Sequence, residues 1–320
     1  MTERPSLESP RRPEREDRGV DRVLNGSVNG KTVSSTAVWC ALGTAGAVFL
    51  ALGLEASAAC VGDHGAKKTQ SVHLVPQIPP AELLASWTPV LERVGNATGQ
   101  CFEIHIATSI PAFETALLAG EPDFAFMNPY HEVMAKRRQG YIPLVRDDRG
   151  KLSGLLVVRK ESPIAAVGDL AGATLAFPAP NAFAASLLIR ASLARQGVAI
   201  QPRWVKTHSN VYRAVVARDV VAGGGVNNTF HREPESLRGE LRVLWETPAF
   251  ASHPLSAHPR VPPAERAAVT SAFLALGADP KTRPLLEKVL LPVPVAADYV
   301  RDYQPLEKLG LEEFVVAGGD

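Results

Sequence analysis

The residues of this sequence best suited to chemistry stand where a short apolar run gives way to a helical one, in TLAFPAPNAFAASLLIR, residues 174–190. Thr174, Leu175, Ala176 and Phe177 read as a buried strand, and Pro178-Ala179-Pro180 stops it. From Asn181 the period becomes helical, with Phe183, Leu187 and Leu188 on one face. Asn181 is a favoured N-cap type, because its side-chain oxygen can accept from the free N–H groups of a first turn. No Asp or Glu fills that turn. A helix start opened by small residues after a strand can hold an anion, since bare N–H groups and the positive dipole end meet there. The plainer reading is an ordinary capped helix.

Other chemistries lack their residues. There is no GxSxG nucleophile elbow, no GxGxxG and no Lys-Ser/Thr after the run Gly223-Gly224-Gly225, so neither a serine hydrolase nor a nucleotide loop is supported. Three cysteines (Cys40, Cys60, Cys101) and eight histidines make no CxxC or HExxH, which leaves no metal centre and no cofactor to expect. His253 and His258 lie in a Pro-flanked segment and read as surface or hinge residues. No catalytic residues are assigned, and the chain is read as a non-enzyme.

Composition agrees with a globular binder. The chain has 320 residues, 46% hydrophobic and 21% charged, with a net charge of +1. A near-neutral balance gives no reason to expect nucleic acid. Residues 1–35 are polar, without apolar periodicity, and read as a disordered leader. The apolar run Thr36–Leu54 follows Lys31 and precedes Ala56-Ser57-Ala58, a small-x-small processing site. Residues 36–58 therefore read as a signal peptide core or, retained, as a membrane anchor. Either way the protein acts outside the cytoplasm, in the periplasm or its equivalent. There Cys60 and Cys101 meet oxidising conditions, as a disulfide or as free thiols.

From Ser71 the rhythm is strand, helix, strand, helix. Strands are expected at Val72–Val75, Phe102–Ala107, Asp123–Met127, Ile142–Arg146, Leu152–Val158, Thr174–Phe177, Val220–Ala222 and Leu241–Trp245. Helices are expected at Ala81–Val94, Tyr130–Arg138, from Asn181, at Val211–Arg218, Ala264–Leu276 and Pro284–Leu290. The pattern predicts two α/β domains, residues 67–154 plus 249–320 and the inserted 155–248. Two chain crossings would leave a hinge and a ligand-sized cleft between them.

Four blocks resemble a known family in its order: EPDFAFMNPYHEVMAKRRQGYIPLV (121–145), LSGLLVVRKESPIAAVGDLAGATLAF (152–177), PAPNAFAASLLIRASLARQGV (178–198) and THSNVYRAVVARDVVAGGG (207–225). Over residues 71–311 the chain resembles the phosphate/phosphite/phosphonate-binding proteins of ABC importers, the phosphonate-binding branch of the type II periplasmic binding proteins. The resemblance implies a two-domain type II periplasmic-binding-protein fold with a hinge and interdomain cleft. It implies a solute-binding protein that captures a small oxyanion (phosphate, phosphite or simple phosphonate) and delivers it to an ABC permease in the inner membrane. The alternative is a membrane-anchored module signalling to a sensor kinase.

By position the resemblance makes Tyr130 an aromatic hydrogen-bond donor. Asn181, Ala182 and Phe183 would give backbone N–H groups, His208 an imidazole donor, and Ser209 and Asn210 further contacts. Asn128 and Asn227 complete the implied ligand set. Such neutral donors can share the oxygens of a dianion. Two departures matter. The family's hydroxyls at the helix start are replaced by Asn181-Ala182-Phe183-Ala184, where Phe183 adds bulk. Gly223-Gly224-Gly225-Val226-Asn227-Asn228 lacks the acidic residue that would hold an aminoalkylphosphonate's ammonium, so an amino-substituted ligand is disfavoured.

Overall fold

The computed structural model describes residues 60–317; the leader and the 36–58 segment lie outside them. Among the described residues, twelve strands build two sheets. The first half begins with β1 (Val61–Gly62) and β2 (Thr69–Leu74), followed by helix α1 (Pro80–Thr98). Leu83, Trp87, Val90, Leu91 and Val94 recur at helical spacing and are buried, and Gly99, at φ 67°, ends the helix in a left-handed cap. Next come β3 (Cys101–Ile106), α2 (Ile110–Ala119), β4 (Phe124–Phe126), α3 (Pro129–Gln139) and β5 (Ile142–Asp147). Parallel pairing of β2 with both β3 and β4 places these helices as crossovers on the sheet.

The chain then enters the second half: β6 (Gly154–Arg159), β7 (Thr174–Phe177), a π-helical turn (Phe183–Leu187) running into α4 (Leu188–Arg195), β8 (Gln201–Trp204), α5 (His208–Val216), β9 (Ala222–Val226) and β10 (Leu241–Glu246). These five strands pair in the order β10-β6-β9-β7-β8. The chain returns through β11 (Leu255–Ala257), which slots antiparallel between β4 and β5, and β12 (Pro294–Ala296) closes the first sheet beyond β5. The two connecting segments pair with each other: Leu152 and Phe250 exchange N–H···O=C bonds, both at 2.9 Å. A single hydrophobic cluster takes in Val72, Trp87 and Phe126 of the first half together with Phe183, Leu187 and Val226 of the second.

Several elements depart from the sequence expectation. The strand expected at Val220–Ala222 is instead β9, which contains the Gly223-Gly224-Gly225 run. Those glycines are not a turn; they are where other elements come close. A Cβ on Gly224 would stand 2.1 Å from the Ala185 carbonyl oxygen, and one on Gly154 in β6 would stand 2.1 Å from that of Ala184. Bare backbone in β6 and β9 thus lets the π-helical turn lie directly on the sheet. The short strands β11 and β12 have no period of their own to betray them. His253, read as surface or hinge, is buried and stacks on Phe126 at 5.6 Å. Cys60 and Cys101 are joined as a disulfide, Cα to Cα 5.5 Å, fastening the start of the described chain to β3. Among the described residues no helix is long and apolar enough to cross a membrane.

Candidate functional site

The turn after β7 opens a helix with free N–H groups, and Asn181 does not cap it. The residue before the helix is Ala182, whose carbonyl accepts from Ser186 N at 2.8 Å and Leu187 N at 3.2 Å. Asn181 is drawn elsewhere: its Oδ1 accepts from Val316 N (3.0 Å), and its Nδ2 donates to Val316 O (2.9 Å) and Glu114 Oε2 (2.7 Å). A side chain spent on three partners cannot also cap, so the N–H groups of Phe183, Ala184 and Ala185 find no acceptor among the described residues. They belong to a continuous helix from Phe183 to Arg195, whose positive end lies at this turn.

Ala182 to Ala185 line a cavity of about 20 Å³ that the first half closes with Val75, Gln77, Ile110 and Asn128. His208 and His253 complete its polar wall. His208 is the first residue of α5, behind the Thr207 cap that accepts from Asn210 N at 3.2 Å. Its Nδ1 is buried without a partner, as is Gln77 Nε2. Burial lowers the His208 pKa to about 4 and that of His253 to about 3, so both rings are neutral at pH 7. No Lys, Arg, Asp or Glu lines the cavity. The site therefore offers neutral hydrogen-bond donors and the end of a helix dipole. That set can hold an oxyanion, but it holds no nucleophile with a base beside it.

Tyr130, Ser209, Asn210 and Asn227 lie apart from this cavity. Tyr130 is buried, but its hydroxyl sits against the Glu312 carboxylate; burial, then that carboxylate, raises its pKa to about 12. Its ring stacks on Phe183, centroids 6.3 Å apart and planes 11° from parallel. Phe183 also meets Phe250 edge-on at 5.6 Å, so its ring fills the space between the halves. Ser209 Oγ bonds the Glu233 carboxylate, and Asn210 Nδ2 donates to Val205 O at 2.9 Å. Asn227 Nδ2 donates to Lys151 O at 2.8 Å, on the wall of a neighbouring cavity of about 280 Å³. Asn128 does line the small cavity; its Oδ1 caps α3 by accepting from His131 N at 2.8 Å. Gln77 and His253 escaped sequence reasoning. Gln77 sits in a proline-rich turn and His253 in a loop before β11, with no motif around either.

A family profile described as "ABC transporter, phosphonate, periplasmic substrate-binding protein" matches residues 72–303. The phosphate-import protein PhnD of Mycolicibacterium smegmatis is 23% identical over 221 residues, 62% of this chain and 69% of that protein. Two solved structures share the fold. A binding-protein component of an ABC phosphonate transporter from Pseudomonas aeruginosa superposes with a TM-score of 0.68 at 16% identity, covering 78% of this chain and 89% of its own. PhnD1 from Prochlorococcus marinus, in complex with methylphosphonate, gives 0.67 at 15% identity, with 76% and 97% covered. The fold is thus that of the type II periplasmic binding proteins. With the profile spanning most of the sequence, the chain belongs to the periplasmic substrate-binding proteins of phosphonate ABC transporters, a family whose work is binding a solute.

Proposed function

We propose that this protein captures a small phosphorus oxyanion (phosphate, phosphite or a simple alkylphosphonate) at the start of the helix beginning with Phe183. The observation that carries this reading is the meeting of three unpaired N–H groups with the orphaned Nδ1 of buried His208 on one cavity. Gln77, whose Nε2 is buried without a partner, supplies a further donor from the first half. No acidic residue lines the cavity to hold an ammonium group, which favours unsubstituted ligands over aminoalkylphosphonates. The phosphate-import and methylphosphonate-bound relatives support the ligand class.

About 20 Å³ is room for one water, not for a phosphonate. Loading therefore requires the two halves, residues 67–154 plus 249–320 and residues 155–248, to part about the Leu152–Phe250 bridge and Phe183 to give way. Export by the 36–58 segment and delivery to an inner-membrane permease complete the reading; membership of a transport family favours this over a sensor module.

A thermal-shift series on the full chain tests it, with phosphate, phosphite, methylphosphonate, 2-aminoethylphosphonate and sulfate. A ligand at 100 times its Kd stabilises by about 2.7 kcal/mol, roughly 5 °C or more in Tm. A shift with an unsubstituted phosphorus oxyanion and none with aminoethylphosphonate is expected. A shift with sulfate alone, or with none of the five, overturns the ligand class.

A further inference from the structure

The end of the described chain belongs to one half and holds the other. Its two short helices, Gln304–Leu309 and Glu312–Phe314, flank Leu311, and Leu306 and Leu311 are buried in the core cluster shared by the two halves. They are pinned to α3 through Arg137, which reaches Glu312 at 2.8 Å and Glu307 at 3.1 Å. On their far side they meet the second half. Arg190 of α4 donates from Nη2 to Phe314 O at 2.8 Å, Arg195 donates to Leu309 O, and Asn181 makes its paired bonds with the backbone of Val316.

Arg190 is the telling member. Its guanidinium has no carboxylate partner among the described residues. It is held by the carbonyls of Phe314 and Pro180 (both 2.8 Å), by Ser186 Oγ (3.2 Å) and by the Trp204 ring 5.4 Å away. Burial brings its pKa down to about 10, which leaves it cationic at pH 7. A half-buried cation answered only by neutral acceptors is an expensive way to pack a helix. Here its donors go to the carbonyls on either side of the junction.

We propose that residues 304–317 form a latch that holds the two halves shut, gripping through Arg190 and Asn181 the same helix whose first turn carries the anion site. The inference rests on the reading that the halves part to admit ligand. Opening must then release Phe314 from Arg190 and Val316 from Asn181, so the latch sets how often the site is exposed.

The test is hydrogen exchange on the full chain, wild type against Arg190→Met and against a chain ending at Gly310, with and without phosphate. Circular dichroism checks that each variant folds. Loss of the latch is expected to speed exchange at least tenfold both in residues 182–187 and in the facing segment Val75–Ile78, which shares no hydrogen bond with Arg190 or residues 311–317. Phosphate should restore slow exchange, and stopped-flow phosphate association should become faster. Faster exchange confined to the helix and residues 304–317 would reduce Arg190 to a local packing role and overturn the latch; so would exchange unchanged in both variants. If phosphate protects neither wild type nor variants while the facing segment still speeds up, the ligand reading fails and the latch stands. Should Arg190→Met fail to fold, the shortened chain carries the same comparison.

Discussion

Replacing Phe183 with Ala tests whether the closed packing described above is the resting state. The ring is 1% exposed and lies between Tyr130 and Phe250 of the first half, so its loss removes contacts that cross the junction. A fully buried Phe→Ala change costs about 3–5 kcal/mol, depending on how far the surroundings collapse. At 2–4 °C per kcal/mol, that is a fall in Tm of roughly 6–20 °C. Were the halves apart in solution, the ring would line an open cleft and its loss would cost little. Urea and thermal melts of the purified full chain read the difference. The same substitution makes room in the site. Each methylene that a longer alkylphosphonate buries there contributes about 0.8 kcal/mol, close to fourfold in affinity. The variant should therefore favour ethyl- and propylphosphonate over methylphosphonate in a graded series. A Tm within 2 °C of wild type would refute the closed resting state, and a flat ligand series would refute the placement of Phe183 over the bound anion.

Three further predictions follow from single groups. His208→Ala should weaken phosphate binding by about 1.5–3 kcal/mol, roughly 10–150-fold by calorimetry, because the lost donor faces a charged oxygen; unchanged affinity removes His208 from the site. Glu132 is wholly buried with Ser256 Oγ 2.6 Å away, and burial raises its pKa from 4.5 to about 8. The unfolded chain sheds this proton first, so stability is lost as pH rises from about 4.5 to 8, and Glu132→Gln should recover on the order of 3 kcal/mol at pH 8 in urea melts. A variant no more stable than wild type at pH 8, or one equally pH-sensitive, would contradict that. Reducing the Cys60–Cys101 disulfide, which spans 41 residues, should cost about 2–4 kcal/mol by the loop-entropy estimate, and a melt indifferent to reductant would show that the bond is not formed.

Much of the fold was legible in the sequence because long amphipathic helices and alternating strands announce themselves. α1 and β3 differ from expectation only at their ends. What escaped was set by distant partners. β11 is three residues that become a strand only because β4 and β5 leave a gap for them. The glycine run carried no apolar alternation to mark it as a strand, yet it lies within β9, where its purpose is proximity. The same holds at the site. The helix start with free N–H groups was readable from the strand, the proline break and the small residues. The part played by Asn181 was not, since its partners Val316 and Glu114 lie 135 and 67 positions away. Tyr130 sits on the expected helix, but the direction of its hydroxyl is decided by Glu312 near the other end of the chain.

Gly224 has a consequence for anyone mapping this protein by mutational scanning. Every substitution there adds an atom that collides with the carbonyl of Ala185, so the position should score as intolerant as a residue that touches ligand. Gly154 should score likewise, against Ala184. Read as a heat map, the two would look like part of a binding site, whereas they lie beneath the Phe183–Leu187 turn. Telling them apart takes a second axis. Loss at these positions should appear in the abundance of folded protein, whereas loss at His208 should appear in ligand uptake while abundance holds.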